Sequence, residues 1–146
     1  MNLDMSKVKR IIVVICQIIL GCVFIFSGYA KAVDPYGSYY KIQDYLTAFG
    51  WDALLPLAFV AGILLCAAEF LLGICLLLGA NLKTTSILTI LFMAFMTPLT
   101  LYIALTDPVS DCGCFGDALV ISNWATFWKN VVFSALAIVI YMLRKC

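Results

Sequence analysis

The segment LLPLAFVAGILLCAAEFLLGICLLLG, residues 54–79, decides the fold of this chain. It carries one charged side chain, that of Glu69, and it exceeds the roughly 20 apolar residues with which a helix crosses a bilayer. Three further apolar runs cover residues 11–29, 84–105 and 129–143, and aromatic residues from Trp124 extend the last run as an interface anchor. The sequence therefore predicts an all-α fold, a four-helix transmembrane bundle that forms one domain over residues 1–146.

The composition supports a lipid environment and excludes several functions. Hydrophobic residues make up 65% of the 146 residues and charged residues 12%, whereas soluble domains average about half and about a quarter. A net charge of +1, with no basic tail, argues against nucleic acid as a partner. The chain contains no histidine, which excludes Ser-His-Asp and Cys-His catalysis and removes the commonest metal ligand.

The distribution of basic residues predicts the orientation in the cell (inner) membrane. Basic residues flank both termini and the second loop: Lys7, Lys9, Arg10, Lys83, Arg144 and Lys145. The positive-inside rule then places both termini in the cytoplasm, with the first and third loops on the opposite side. The first run could instead be a signal peptide, but at about 19 residues it is longer than the usual apolar core of one, so we expect a retained helix.

The first loop has an amphipathic pattern. Tyr39, Ile42, Leu46 and Phe49 share one helical face. This pattern predicts a short extracytoplasmic helix at the membrane interface between helices 1 and 2, while an ordered loop with an aromatic belt is the alternative.

The third loop, TDPVSDCGCFGD at residues 106–117, contains two cysteines separated by one glycine. A bond between Cys112 and Cys114 needs a bend that Gly113 permits, and such a strained, exposed bond is easily reduced. The pair is therefore a candidate redox site on the oxidising side of the membrane. Pairing with another protein and two inert thiols are the alternatives, and two cysteines supply too few ligands for a metal.

Glu69 is the second candidate, because a charged group in a membrane helix costs about 2.5–3.5 kcal/mol and should face the bundle interior. It lies on a stripe of otherwise small residues: Ala58, Gly62, Cys66 and Gly73. We expect it to be neutral, hydrogen-bonded glue between helices, with a proton relay or polar ligand contact as the functional alternative. By approximate depth, its expected partners are Gln17, Thr89 and Thr97.

Two features of the first helix are explained by packing alone. Gly21 and Gly28 lie two turns apart on one face, and Lys31 lies near the outer end, from which its ammonium group is expected to reach the interface. Cysteines at matching depths could pair within the membrane, Cys16 with Cys75 and Cys22 with Cys66, but small buried thiols explain the same pattern.

Three motifs resemble a known family. FSGYAK at residues 26–31 and EFLLG at residues 69–73 are similar to the DoxX superfamily. The CGCFGD loop at residues 112–117, followed by Asn123 and Trp124, resembles the MauE branch, which is named after a methylamine-utilisation membrane protein. The four-helix arrangement also resembles vitamin K epoxide reductase-like proteins, but their active pair is Cys-x-x-Cys.

The resemblance implies a membrane protein for thiol–disulfide redox chemistry or maturation of extracytoplasmic proteins, as in methylamine utilisation. Cys112 and Cys114 would exchange electrons with a thioredoxin-like protein or a maturing disulfide-containing substrate. The alternatives are a non-catalytic membrane scaffold or assembly subunit, and a quinone-coupled oxidoreductase with Glu69 near the quinone. No cofactor is evident from the residues, and a quinone is the one that the last alternative requires.

Overall fold

The computed structural model describes residues 4–106 and 123–144, which form helices and contain no β-strand. The elements are α1 (Met5–Val33), α2 (Pro35–Ala48), a 3-10 segment (Asp52–Leu57), α3 (Ala58–Leu78), α4 (Leu82–Thr106) and α5 (Asn123–Leu143). Four stretches are long and apolar enough to cross a membrane: Met5–Val33, Asp52–Leu78, Leu82–Leu105 and Trp124–Leu143. The predicted all-α membrane fold with four spanning helices is confirmed.

Local sequence signals set the ends of these helices. Asp34 accepts a hydrogen bond at its Oδ1 from the backbone N–H of Gly37 at 3.0 Å, and Pro35 provides a pre-set φ for the first turn of α2. The second apolar run is divided by Pro56, which lies in the 3-10 segment just before α3 begins. At the other end of α3, Gly79 adopts φ +65°, the left-handed conformation in which glycine ends a helix.

The helices pack as two close pairs, α1 with α3 and α4 with α5, and α1 also contacts α5. Glycines bring the backbones of α1 and α3 together. A Cβ atom added at Gly73 would lie 2.9 Å from the carbonyl oxygen of Gly21, and one added at Gly28 would lie 3.0 Å from the backbone nitrogen of Phe70. Such close approach through small residues is typical of membrane helix interfaces.

The surface of the bundle is apolar, as lipid contact requires. Many large hydrophobic side chains on α3 and α4 are exposed, including Leu64 at 64% and Phe95 at 67%. The interior contains a hydrophobic cluster of Val13, Cys16, Leu20, Phe24, Leu76, Met93, Ala137 and Ile140. Water would penalise so large an exposed apolar area, whereas lipid tails do not.

Helix α2 forms where the amphipathic pattern predicts a helix, and it lies against α3. The four residues of its predicted apolar face are half-buried: Tyr39, Ile42, Leu46 and Phe49. The ring of Phe49 stacks at 5.1 Å on that of Tyr102, near the end of α4. Because of this contact, α2 and the end of α4 lie at the same end of the bundle. The position of α2 at a membrane interface stays a prediction.

Candidate functional site

A buried ion pair joins α1 to α3. The Nζ atom of Lys31 lies 2.8 Å from Oε2 of Glu69, and both residues are 4% exposed. Ser27 completes a triangle, since its hydroxyl donates to the same Oε2 at 2.8 Å and accepts from Lys31 Nζ at 2.7 Å. We call Ser27, Lys31 and Glu69 the charged triad. The three contacts, at 2.7–2.8 Å, are as short as charge-assisted hydrogen bonds.

The sequence of α1 and the antiparallel packing of α3 position the triad. Ser27 and Lys31 are one helical turn apart, so their side chains leave the same face of α1. Gly28 between them lets the backbone of Phe70 approach, which brings the neighbouring Glu69 within hydrogen-bond distance of both side chains. The glycines are therefore needed for the geometry of the ion pair as well as for packing.

The stability of the triad depends on both charges being present. Each charge alone would pay a large desolvation cost in the interior, and the pair offsets that cost by mutual attraction and the two hydrogen bonds of Ser27. Removing one charge leaves the other buried without its partner, which is far more costly than removing both. Ionisable groups at this depth typically mark functional sites in membrane proteins.

A small cavity lies between the triad and α5. It measures about 30 Å³, and its polar walls come from Ser27, Glu69, Lys129 and Asn130. A water molecule needs roughly 10–15 Å³ of such volume and two or more polar partners, so the cavity has room for one or two waters. Beside it, the Nδ2 atom of Asn130 donates to Oγ1 of Thr100 at 3.2 Å, which ties α5 to α4. Polar groups from α1, α3 and α5 thus converge in the bundle interior.

The expected partners of Glu69 were wrong. The amide of Gln17 donates to the carbonyl of Leu76 at 2.9 Å, about two helical turns further along α3 than Glu69. The other two residues also bond elsewhere: Thr89 to the carbonyl of Thr85 on its own helix, and Thr97 to Ser134 on α5. The actual partners are Ser27 and Lys31, so the carboxylate faces a cation and not neutral groups.

The expectation for Lys31 was also wrong, since its side chain extends into the bundle and not to the interface. The small-residue stripe of α3 is otherwise buried as predicted, with Ala58, Gly62 and Gly73 inside and Cys66 half-buried. The pairs of membrane cysteines do not form disulfides: Cys16, Cys22, Cys66 and Cys75 are free thiols.

The redox candidates Cys112, Gly113 and Cys114 lie outside the described residues. The helices on either side of their loop are α4, which ends at Thr106, and α5, which begins at Asn123. The hydrogen bonds of Thr100 with Asn130 and of Thr97 with Ser134 show that these two helix ends lie at the same end of the bundle. Through the contact of Phe49 with Tyr102, this is the α2 end of the bundle. Asn130 lies about two helical turns below the start of α5, so the polar cavity lies in the half of the bundle to which the loop is attached.

Within residues 4–106 and 123–144, no group of three or more His, Cys, Asp or Glu side chains is arranged to hold a metal. The arrangement of the triad suits two other tasks. It can fix the relative position of α1 and α3. Together with the neighbouring cavity, it can also hold a proton either on Glu69 or on a water molecule in that cavity. The role of Glu69 as structural group or proton relay stays a prediction.

The sequence contained a signal for the residues that were missed. Gly21 and Gly73 both lie at helix-contact positions, and pairing them in antiparallel register places Glu69 at the level of Ile25, about half a helical turn from Ser27. Lys31 follows one turn later on the same face. Treating these glycines as a register marker, and not only as packing residues, would have identified the triad. For Lys129 and Asn130 on α5, no such marker existed.

Comparison with known proteins identifies a family. The family model described as "Methylamine utilisation protein MauE" matches residues 9–143, which is nearly the whole chain. No curated protein and no solved structure matches the chain.

Proposed function

The chain belongs to the MauE family, a family of multi-pass membrane proteins of the methylamine utilisation type, and from this premise we propose that it exchanges electrons with extracytoplasmic proteins. The exchange uses Cys112 and Cys114. It serves the maturation of disulfide-containing proteins, and the partner is a thioredoxin-like protein or the maturing substrate itself. The orientation with both termini in the cytoplasm places the cysteine loop on the oxidising side.

The observation that carries the proposal is the charged triad in the bundle interior. A protein that needed only to span the membrane would be more stable with apolar residues of similar size at Lys31 and Glu69. The triad and its cavity lie in the half of the bundle to which the cysteine loop is attached. A fixed ion pair and a water-sized space there support thiol chemistry, which moves protons together with electrons.

The exchange proceeds through two reversible thiolate attacks. One thiolate of the pair attacks a disulfide of the partner, a mixed disulfide forms, and one partner thiolate leaves. The second thiolate of the pair then attacks the mixed disulfide and releases the other partner thiolate. Cys112 and Cys114 are left joined, and the partner has gained two electrons and two thiols after protonation. In reverse, the pair accepts two electrons from a dithiol substrate.

Replacing the cysteines tests this proposal. Cys112→Ser and Cys114→Ser should each abolish function in a complementation assay while helical content is unchanged, because helix packing and not the loop holds the bundle together. One of the two should trap a mixed disulfide, visible on a non-reducing gel, because the resolving thiol is gone. Gly113→Val should also impair the site by opposing the bend between the sulfurs.

Cys22→Ser is the matched control, because Cys22 is an exposed free thiol in α1 and should be replaceable without effect. The redox state of the pair in intact cells, read as an alkylation mass shift, gives an independent measurement. If both loop variants keep full activity, thiol exchange is excluded and the non-catalytic scaffold takes its place.

A further inference from the structure

A second, larger cavity lies beneath α2. It has a volume of about 250 Å³ and lies between α2, α3 and α4, with an almost wholly apolar wall that includes Ile42, Leu65 and Met96. The end of α1 contributes Lys31 to it, so the cavity adjoins the charged triad. None of the chemistry proposed for Cys112 and Cys114 uses this space.

One polar side chain in the cavity wall lacks a hydrogen bond. Ser38 lines the cavity, is 5% exposed, and its Oγ has no partner among the described residues. A buried hydroxyl without a partner is destabilising, and alanine would avoid that cost. The serine therefore indicates that something other than this fold completes its hydrogen bond.

The other polar groups of the wall define the chemistry of a complementary ligand. Lys31, Lys41 and Tyr45 also line the cavity, and all three are residues whose side chains carry hydrogen-bond donors. No carboxylate lines the cavity among the described residues. A ligand that matches this wall carries an acceptor oxygen on an otherwise apolar body.

The cavity opens towards the surface that faces lipid. Three residues of its wall are themselves exposed, namely Trp51, Ala61 and Phe95. A molecule dissolved in the membrane can enter between α3 and α4 without crossing water. An engineered cavity of about 150 Å³ in another protein accommodates benzene, so 250 Å³ has room for a substituted six-membered ring or a short acyl segment.

We propose that the cavity beneath α2 binds a lipid-soluble molecule of the membrane whose carbonyl or carboxylate oxygen accepts the hydrogen bond of Ser38. An isoprenoid quinone and a fatty acyl compound share this chemistry, and the experiment below distinguishes them. Binding does not depend on thiol–disulfide exchange, since neither Cys112 nor Cys114 takes part. A variant with both cysteines replaced by serine therefore binds as the wild type does.

Trp51 provides the test, because it lines the cavity and its fluorescence reports on ligands there. In a Trp124→Phe, Trp128→Phe background reconstituted in saturated-chain phosphatidylcholine vesicles, two probes are titrated: a short-chain benzoquinone and a dibrominated fatty acid, both of which quench tryptophan. At least one should quench Trp51 saturably. The probe that does so identifies the source of the acceptor oxygen.

The Ser38→Ala variant distinguishes a serine that binds a ligand from one that only stabilises the fold. Binding should weaken about fivefold because one hydrogen bond is lost, while the thermal stability of the ligand-free protein should rise or stay the same because an unsatisfied hydroxyl is removed. Thr47→Ala, an exposed change on the same helix, should alter neither. If Ser38→Ala leaves affinity unchanged, or lowers stability without ligand, the inference is wrong.

A second experiment blocks the cavity. Ala61→Phe places a ring in the mouth and should abolish saturable quenching, whereas Ala67→Phe, at an exposed position of α3 outside the cavity, should not. Quenching that is linear in probe concentration, or that is equal in these two variants, would show partitioning into lipid only and would overturn the proposal.

Discussion

Lys31 and Glu69 depend on each other in a way that neither residue type suggests alone. Each is 4% exposed, and each satisfies the other's charge at 2.8 Å. The sequence allowed the burial of Glu69 to be predicted from the cost of a charge in lipid, but not its ionisation state, because that depends on what lies opposite. A lysine near a helix end can extend towards water or towards the interior, and only the register of α1 against α3 decides between them.

At this scale we expect Glu69→Gln to destabilise the protein by about 3–5 kcal/mol, because Lys31 is left buried without its counter-charge. Adding Lys31→Met should recover most of that loss, since the remaining amide can still accept from Ser27. Thermal unfolding followed by helical circular dichroism in detergent measures both. Lys83→Met, which removes an exposed lysine at the start of α4, is the control and should change stability by less than about 0.5 kcal/mol.

The same pair of variants separates structure from chemistry. If the double variant is as stable as the wild type and functions normally in complementation, the triad serves only to hold α1 against α3. Loss of function in a stable double variant would instead support proton transfer through Glu69. A single Glu69→Gln variant as stable as the wild type would contradict the ion pair itself.

At the scale of elements, α1 and α3 touch through glycine. Gly73 has the tightest surroundings, since a Cβ there would lie 2.8 Å from the backbone nitrogen of Ile25 and 2.9 Å from the carbonyl oxygen of Gly21. Backbone atoms cannot move aside as side chains do. The spacing of small residues predicted which face of α3 contacts another helix. It could not show that only part of this stripe is in backbone contact with α1.

Gly73→Ala should therefore cost about 1–3 kcal/mol by forcing the two helices apart. Gly62→Ala, on the same stripe of α3, is the matched control: its Cβ would meet Ile42 Cδ1 at 3.5 Å and Ser38 Cβ at 3.6 Å, ordinary contact distances. Thermal unfolding of the two variants in one detergent makes the comparison. Equal stability of both would contradict the backbone contact at Gly73.

At the scale of the whole molecule, four apolar runs were enough to predict the number and class of spanning helices, and the fourth reached back to Trp124 as expected. The pairing of those helices was not predicted, because buried polar residues such as Gln17, Glu69 and Asn130 mark an interior face but do not identify the helix that it contacts. The close packing of α1 on α3, the next spanning helix along the chain, comes from glycine positions and one ion pair.

The orientation stays a prediction for the whole molecule. It rests on six basic residues on the predicted cytoplasmic side against three on the other, namely Lys31, Lys41 and Lys129. In a background without native cysteines, Asp52→Cys and Asp111→Cys should react with an impermeant maleimide on intact cells. Lys83→Cys should react only after the cells are opened, and labelling from outside would overturn the orientation.

The separation of the two charges along the chain sets an order of events during synthesis. Lys31 precedes Glu69 by 38 residues, which a ribosome takes roughly 2–8 s to add at about 5–20 residues per second. For that interval the ammonium group has no counter-charge and must stay among lipid headgroups or inside the insertion machinery. When α3 is inserted, the carboxylate of Glu69 neutralises the charge of Lys31, and the lysine side chain can enter the bilayer. Helix α1 therefore reaches its final depth only after α3 has entered.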